Sequence, residues 1–365
     1  MQEIKKQSIV IASILKPVDD TRIFEKMGST LLTTGRWDVH IIGYGNSLHS
    51  NAVHFYPLGN FNRISIARVL APLKVLLVLL KVRPDVLIIN THELLIVGAI
   101  FKLFFKCKVV YDVMENYFLN IIHTHAFPPP LKYGIALWVR LKEWITRPLI
   151  THYLLAESAY QKELPFIGNK FTIVENKCVK PDHFRKRNEL TKIRLLFSGT
   201  IDSSTGIWEA ISLSKLLYEI DNRVELHIVG YCSRERLRNE ILNEIGSLQF
   251  ITCPALDKLV GHSIILEEIR KATAGVVFYP YSVHNKNRIP TKIYEYLGYR
   301  LPVLFDTSAV WKDLIIKNSG GIELDFRNPS LKEILNLLNT TDFYPQGVIN
   351  VYWDSEEEKF LEAIS

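Results

Sequence analysis

Short runs of β-branched and aliphatic residues recur along this chain, separated by stretches with helical periodicity, and the alternation occurs twice. The first set comprises KQSIVIASIL, WDVHIIGYG, RPDVLIIN (83–90), KCKVVYDV (106–113), LITHYLLA (149–156) and KFTIVE (170–175). Between them, RIFEKMGSTLLTTG places Ile23, Met27 and Leu31 at helical spacing, with Gly35 as a C-cap, and ELLIVGAIFKLFF reads as an apolar helix. Continuous apolar strands alternating with helices require a parallel sheet covered on both faces, which places the chain in the α/β class. A polar stretch without apolar period, VKPDHFRKRNELTK (179–192), reads as a linker. The pattern then restarts with IRLLFSG, VELHIVG, LQFITC, AGVVFYP and LPVLFD as strands, and ends in WDSEEEKFLEAIS, a helix with no strand after it. The expected division is a Rossmann-like domain over 1–184, a second over 190–345 and a terminal helix over 350–365.

The 365 residues are 48% hydrophobic and 22% charged, enough for two cores and far from a disordered composition. The longest apolar stretch, Val69 to Val82, is interrupted by Lys74 and Lys81 and reads as a helix of the core or surface. The N-terminal segment has basic residues before an apolar run but no small-residue cleavage site, so it reads as the first strand of a cytoplasmic protein. Four scattered cysteines, without metal-ligand spacing, read as free thiols. The net charge of +6 is uneven: residues 1–190 hold 25 Lys or Arg against 15 Asp or Glu, and the remainder hold 19 against 23. FKLFFKCK (101–108) and LKYGIALWVRLKEWITRP (131–148) mix cations with aromatic residues as interfacial helices do, which suggests peripheral contact at the inner face of a membrane. The bland reading is a core helix with a solvated basic rim. The basic residues form no nucleic-acid reader motif, so nucleic acid is not an expected partner.

Chemistry is most legible in AGVVFYPYSVHNKNRIPTKIYEYLGYRLPVLF. Pro290 is expected in the first turn of a helix, leaving the amides of Thr291 and Lys292 facing outward, where free donors and the helix dipole attract phosphate. Lys292 and the preceding Arg288 add positive charge, and Glu295, one turn deeper, is placed to accept ribose hydroxyls. A capped helix with a surface Lys–Glu pair would look the same. The turn after IRLLFSG, at Gly199 and Thr200, lets backbone approach a phosphate, though it is neither a Walker loop nor GxGxxG. In the first half, NTHE (90–93) and YDVMEN (111–116) stand at strand ends, where open α/β sheets bind ligands. Asp112 and Glu115 are candidates to orient or deprotonate a hydroxyl, with His92 and Asn116 beside them; loop hydrogen bonds and caps are the alternative. Arg22 is an anion-binding candidate, and Asp20 or Thr21 is expected to cap the helix that follows.

PVDDTRIFEKMGSTLLTTGRWDVHIIG, PDVLIINTHE, VVYDVMEN, TIVENK and above all PTKIYEYLGYRLPVL resemble segments of the family 4 glycosyltransferases. The resemblance implies the GT-B fold, two Rossmann-like domains facing a central cleft, with the terminal helix crossing back to the first domain. It implies transfer of a sugar from a nucleotide diphosphate donor to a glycan or lipid-linked acceptor in envelope polysaccharide synthesis. Retention of anomeric configuration and independence of metals and cofactors follow from the same likeness. Glu295 would bind the donor ribose, Lys292 would stabilise the departing diphosphate, and backbone around Pro254 to Leu256 would read the base. Four positions depart from the pattern: Asn287 replaces an acid, Thr200 and Thr205 replace an Arg and a Lys, and Met114 replaces a His. Arg288 and Lys292 are left to supply the charge. A nucleotide-sugar 2-epimerase and a non-catalytic glycosyltransferase-like subunit are the competing readings.

Overall fold

The computed structural model describes residues 6–45, 50–61, 65–123, 127–184, 191–254, 256–280, 288–306 and 311–365. The chain divides into two compact units: unit 1 holds Met1–Asn176 and Trp353–Ser365, unit 2 holds Lys177–Tyr352.

Unit 1 is built on a parallel sheet of seven strands: β1 (Gln7–Pro17), β2 (Trp37–Tyr44), β3 (Val53–Pro57), β4 (Val86–Ile89), β5 (Lys108–Val113), β6 (His152–Leu155) and β7 (Phe171–Ile173). Their order is β3-β2-β1-β4-β5-β6-β7. Because β1 is covered on both sides, its side chains alternate between two cores. Val10, Ala12 and Ile14 join one with Ala71, Val75 and Leu79 of the helix Ile66–Val82. Ile9 and Ile11 join the other with Met27, Leu31 and Phe360. This double burial is why β1 reads as an unbroken apolar run. The helical segment from Thr21 opens with a widened turn, and Asp20 caps it, its carboxylate accepting from the amides of Arg22 and Ile23 at 3.0 and 3.2 Å. Strand β3 carries too few apolar residues in sequence to announce itself; its pairing with β2, Val39 opposite Val53 through Gly43 opposite Pro57, defines it.

Unit 2 repeats the plan with β8 (Ile193–Thr200), β9 (Val224–Tyr231), β10 (Ile251–Thr252), β11 (Ala274–Val277), β12 (Val303–Asp306) and β13 (Gly321–Leu324) in the order β10-β9-β8-β11-β12-β13, all parallel. In both sheets the direction of winding reverses once, between β1 and β4 and between β8 and β11. Such reversals open a crevice at the carboxyl ends of the strands, where ligands bind.

The terminal helix Asp354–Ile364 belongs to unit 1. Trp353 donates from Nε1 to Thr30 Oγ1 at 2.9 Å, Thr30 donates to Glu357 Oε1 at 3.0 Å, and the buried Glu356 accepts from the Glu175 amide at 3.0 Å. Residues 185–190 of the expected linker, 179–192, lie outside the described residues. Phe360 is fully buried in the core shared with β1. Phe360→Ala is expected to destabilise unit 1 by about 3–5 kcal/mol, measured by chemical denaturation followed by near-ultraviolet circular dichroism.

Candidate functional site

In unit 2 the crevice at the β8–β11 reversal is shaped by two glycines. Gly199, at the end of β8, has φ +95°, and Gly206, which precedes the helix Ile207–Ile220, has φ +83°. At Gly206 a Cβ would stand 2.4 Å from the carbonyl oxygen of Phe278, so the loop closes against β11's exit only because no side chain is there. Between them Asp202 and Thr205 form a reciprocal capping box around the turn Ser203–Thr205. Thr205 Oγ1 also donates to the Thr200 carbonyl, at 2.9 Å. Thr205 therefore serves the turn itself, while Thr200 is exposed at its rim.

The helix Thr291–Gly298 points its first turn at this loop. Pro290 takes the N-cap position, φ −58° and ψ 135°, one residue earlier than the sequence suggests, since its extended ψ places it outside the helix. Lys292 is 8% exposed, and its Nζ has no hydrogen-bond acceptor among the described residues. The ammonium lies 4.6 Å from the ring centroid of Phe197 and 5.7 Å from that of Tyr279. A Cβ on Gly199 would be 4.0 Å from it. Burial lowers its pKa to about 8, against the opposing pull of Glu295. The cation thus stands at a helix start and beside a glycine turn, surroundings of the kind in which anions are bound.

One turn deeper, Glu295 is also buried, and its Oε1 accepts from His262 Nε2 at 3.0 Å. His262 opens the helix His262–Lys271 after Gly261. Sequence reading missed it, because a single histidine at a helix start carries no spacing signal. Tyr296 is hydrogen-bonded to Ser198 at 2.8 Å, and its ring lies where a Cβ on Gly275 would be, 2.2 Å from Cε2; this contact pins the helix to β8 and β11. Gly199, Lys292 and Glu295 thus belong to one neighbourhood, with Thr200, Pro290, Thr291 and the half-buried Arg288 on its border. Asn287 and Ala255 lie outside the described residues.

In unit 1 the residues named at strand ends form two groups. Arg22 and Asp112, both 0% exposed, make a bidentate pair, with Nη2 to Oδ1 at 2.7 Å and Nε to Oδ2 at 2.9 Å. Asn90 Nδ2 donates to Asp112 Oδ2 at 2.6 Å, and Arg22 reaches the Val174 carbonyl at 2.9 Å. With both oxygens engaged and no path to solvent, Asp112 ties the ends of β4, β5 and β7 together. Arg22 Nη1 and Asn90 Oδ1 remain without hydrogen-bond partners among the described residues. Asn116 is likewise occupied, capping the following turn through Leu119 and bonded to Glu163 and Arg140. Glu115, half-buried, accepts from Asn120 at 2.7 Å.

His92 stands apart from these, on the short turn after β4. Its Nδ1 is 2.9 Å from Lys142 Nζ, and its Nε2 is 3.6 Å from Glu93 Oε2. Burial, reinforced by the Lys142 and Arg68 charges, lowers its pKa to about 4 despite Glu93, so it is neutral at physiological pH. It lines a cavity of about 840 Å³ whose walls come from the helices Ile66–Val82, Leu95–Phe104 and Leu131–Thr146.

Solved structures of glycosyltransferases superpose on this chain over nearly its whole length. The lipopolysaccharide outer core galactosyltransferase WaaB, in its apo form, superposes with TM-score 0.56 and 12% identity over 98% of this chain and 99% of that one. A UDP-forming α,α-trehalose-phosphate synthase from Burkholderia xenovorans, in complex with glucose-6-phosphate, gives 0.66 and 9% over 98% and 100%. HepE from Anabaena, in complex with UDP and glucose, gives 0.63 and 10% over 98% and 99%. The chain has the GT-B fold. No protein-family model and no curated protein sequence matches it.

The unpaired cation generates a test that needs no substrate. A lysine whose folded pKa lies below its unfolded value of about 10.5 carries a penalty that is full below pH 8 and fades as pH rises towards 10.5. Lys292→Met is therefore expected to stabilise the ligand-free protein at pH 7 by about 1–3 kcal/mol. The gain should shrink between pH 8 and pH 10 in denaturation series.

Proposed function

We propose that this chain is a glycosyltransferase of the hexosyltransferase type, using a nucleotide diphosphate sugar as donor and a glycan or lipid-linked acceptor of envelope polysaccharide synthesis. The observation that carries the reading is the buried Lys292 ammonium, without an acceptor, at the start of a helix beside the Gly199 turn. A pyrophosphate seated there would gain a full charge, helix amides and the backbone of the turn at once. Glu295 then faces the ribose, with His262 able to yield its hydrogen bond to a hydroxyl. The similarity to structures holding UDP and glucose, or UDP-glucose, supports a nucleotide-sugar donor.

In the transfer, the bond between the anomeric carbon and the β-phosphate oxygen breaks, and the acceptor oxygen bonds to that carbon. The acceptor's proton passes to the departing diphosphate. Lys292 stabilises the charge that develops on the diphosphate, and retention follows if donor and acceptor oxygens share one face of the sugar. No resident metal or cofactor takes part in this scheme. Unit 2 serves the donor and unit 1 the acceptor.

UDP or GDP is expected to raise the melting temperature of the wild type and not that of Lys292→Ala. Turnover of the matching nucleotide sugar should fall about 10²–10³-fold in that variant. Binding should also weaken above pH 8, as the ammonium loses its proton. Wild-type turnover in Lys292→Ala would refute the assignment. The second reading, a non-catalytic subunit, draws on Thr205 being spent on its own turn in place of a clamp cation. Calorimetry with UDP and GDP separates the two, since absence of binding to either favours the subunit.

Peripheral membrane contact belongs to the same proposal. Among the described residues no helix is long and apolar enough to cross a membrane. Yet Leu73, Leu77 and Leu80 of Ile66–Val82 are exposed in one stripe, and Leu137, Leu141 and Trp144 of Leu131–Thr146 in another. Co-sedimentation with phosphatidylcholine vesicles is expected to require phosphatidylglycerol, and to be lost in Leu77→Asp/Leu141→Asp.

A further inference from the structure

Strand β3 stands at the edge of the first sheet with β2 as its one neighbour in the strand order, and this pair carries a group of side chains that the donor chemistry does not use. On β2, Val39 and Ile41 enter one core, so Asp38 and His40 turn to the opposite face, the face of Ile42. On β3, Val53 follows Val39 into that first core. The register sets His40 beside His54 and Ile42 beside Tyr56, which brings His54 and Tyr56 to the face of Asp38. Two histidines and an aspartate are thereby neighbours on two paired strands, with a tyrosine next to them.

The contacts are close. His40 Nε2 stands 3.0 Å from Asp38 Oδ2, and His54 Nε2 stands 3.2 Å from Asp38 Oδ1. The two imidazole rings are stacked, with centroids 4.7 Å apart and planes inclined by 20°. Among the described residues this is the one group of three His, Cys, Asp or Glu side chains whose ligand atoms converge, all within 4.8 Å of one another. Tetrahedral zinc holds nitrogen and oxygen donors about 2.0–2.2 Å away, which sets any two of them about 3.3–3.5 Å apart. The carboxylate–imidazole separations are already near that spacing, so the adjustment left is an approach of the rings. His54 can supply it, because its side chain is 59% exposed, whereas His40, at 9%, is the fixed member.

Tyr56 adds a separate argument. Its hydroxyl is 3.3 Å from His40 Nδ1. In the tautomer whose Nδ1–H donates to that oxygen, Nε2 turns its lone pair towards Asp38. Without a cation this sets a lone pair against a carboxylate; with one, it is the arrangement of a metal-bound imidazole whose outer nitrogen is held by an oxygen.

We propose that Asp38, His40 and His54 form a binding site for one divalent transition-metal ion of the zinc class, with water in the fourth position. Two imidazoles and a carboxylate suit such an ion, whereas magnesium and calcium call for oxygen donors. Asp38 and His54 are each the second residue of their strand, so the site lies at the opposite end of the sheet from the strand ends at which an open sheet binds its ligand. The ion clamps the edge strand to its neighbour and has no part in sugar transfer. The proposal is therefore independent of the glycosyltransferase reading.

The test uses the full chain, free of any affinity tag and stripped with EDTA, titrated calorimetrically with Zn²⁺ and, for comparison, with Mg²⁺. Zn²⁺ is expected to bind one to one and at least about a hundredfold more tightly than Mg²⁺. His40→Gln and His54→Gln should each weaken Zn²⁺ binding by more than about tenfold, and Tyr56→Phe by about tenfold. Equimolar Zn²⁺ should raise the melting temperature of the wild type and of neither histidine variant. Melts in EDTA establish that the variants are folded, and His54→Gln changes a ring that is mostly in solvent. Equal affinity for Zn²⁺ and Mg²⁺ would overturn the proposal, as would Zn²⁺ binding undiminished in His54→Gln or a stoichiometry of one ion to two chains. UDP binding, measured on the same samples, should not change when the ion is removed; its loss in EDTA would place the ion at the donor site and overturn the clamp.

Discussion

An ammonium group with no hydrogen-bond acceptor among the described residues, buried beside two aromatic rings, sets the terms for unit 2. Lys292 could reach solvent by a change of rotamer were the chain around it loose, but Tyr296 ties its helix to Ser198 and Gly275, and Phe197 and Tyr279 flank the side chain. Desolvating a charge without a partner opposes folding, so the surrounding packing must more than offset it. The β8 core does so with Leu195, Leu196 and Phe197, each fully buried, on alternating faces. On the proposed reading, a bound anion and this cation would relieve each other's desolvation without further reorganisation.

Unit 1 handles charge in two other ways. Arg22 and Asp112 are buried more deeply than Lys292 and pair with each other, with Asn90 and the Val174 carbonyl as further partners, although Arg22 Nη1 and Asn90 Oδ1 have none among the described residues. That pair joins strands and leaves little freedom for chemistry. Lys142 differs from both: it is buried against His92, with Glu93 and Glu143 as nearby counter-charges, and lines a cavity.

Much of this was legible in the residues. Strands buried on both faces announce themselves as apolar runs, and eleven of the thirteen strands of the described residues were read that way; the two that hide are edge strands, β3 with VHFYP and β13 with GIEL. The helix after Pro290 was readable because proline, lysine and glutamate occupy positions with distinct physical meanings there. Its one-residue displacement reflects proline's ability to serve as either the last extended or the first helical residue. Asp112, Asn116 and Arg22 were legible as strand-end polar residues but not as one another's partners, since Arg22 and Asp112 are 90 positions apart. His262 was invisible for the same reason: its meaning comes only from Glu295, 33 residues later.

The apolar stripes of unit 1 show where periodicity misleads. Val69 to Val82 contains leucine and valine nearly all round, which in a globular chain signals a buried helix. Here only one stripe is covered by the sheet, and the other faces outward together with those of two neighbouring helices. Sequence alone cannot separate a helix packed on two sides from one that awaits a second layer, because both need the same residues. What separates them is whether the chain supplies that layer, and the described residues of unit 1 do not.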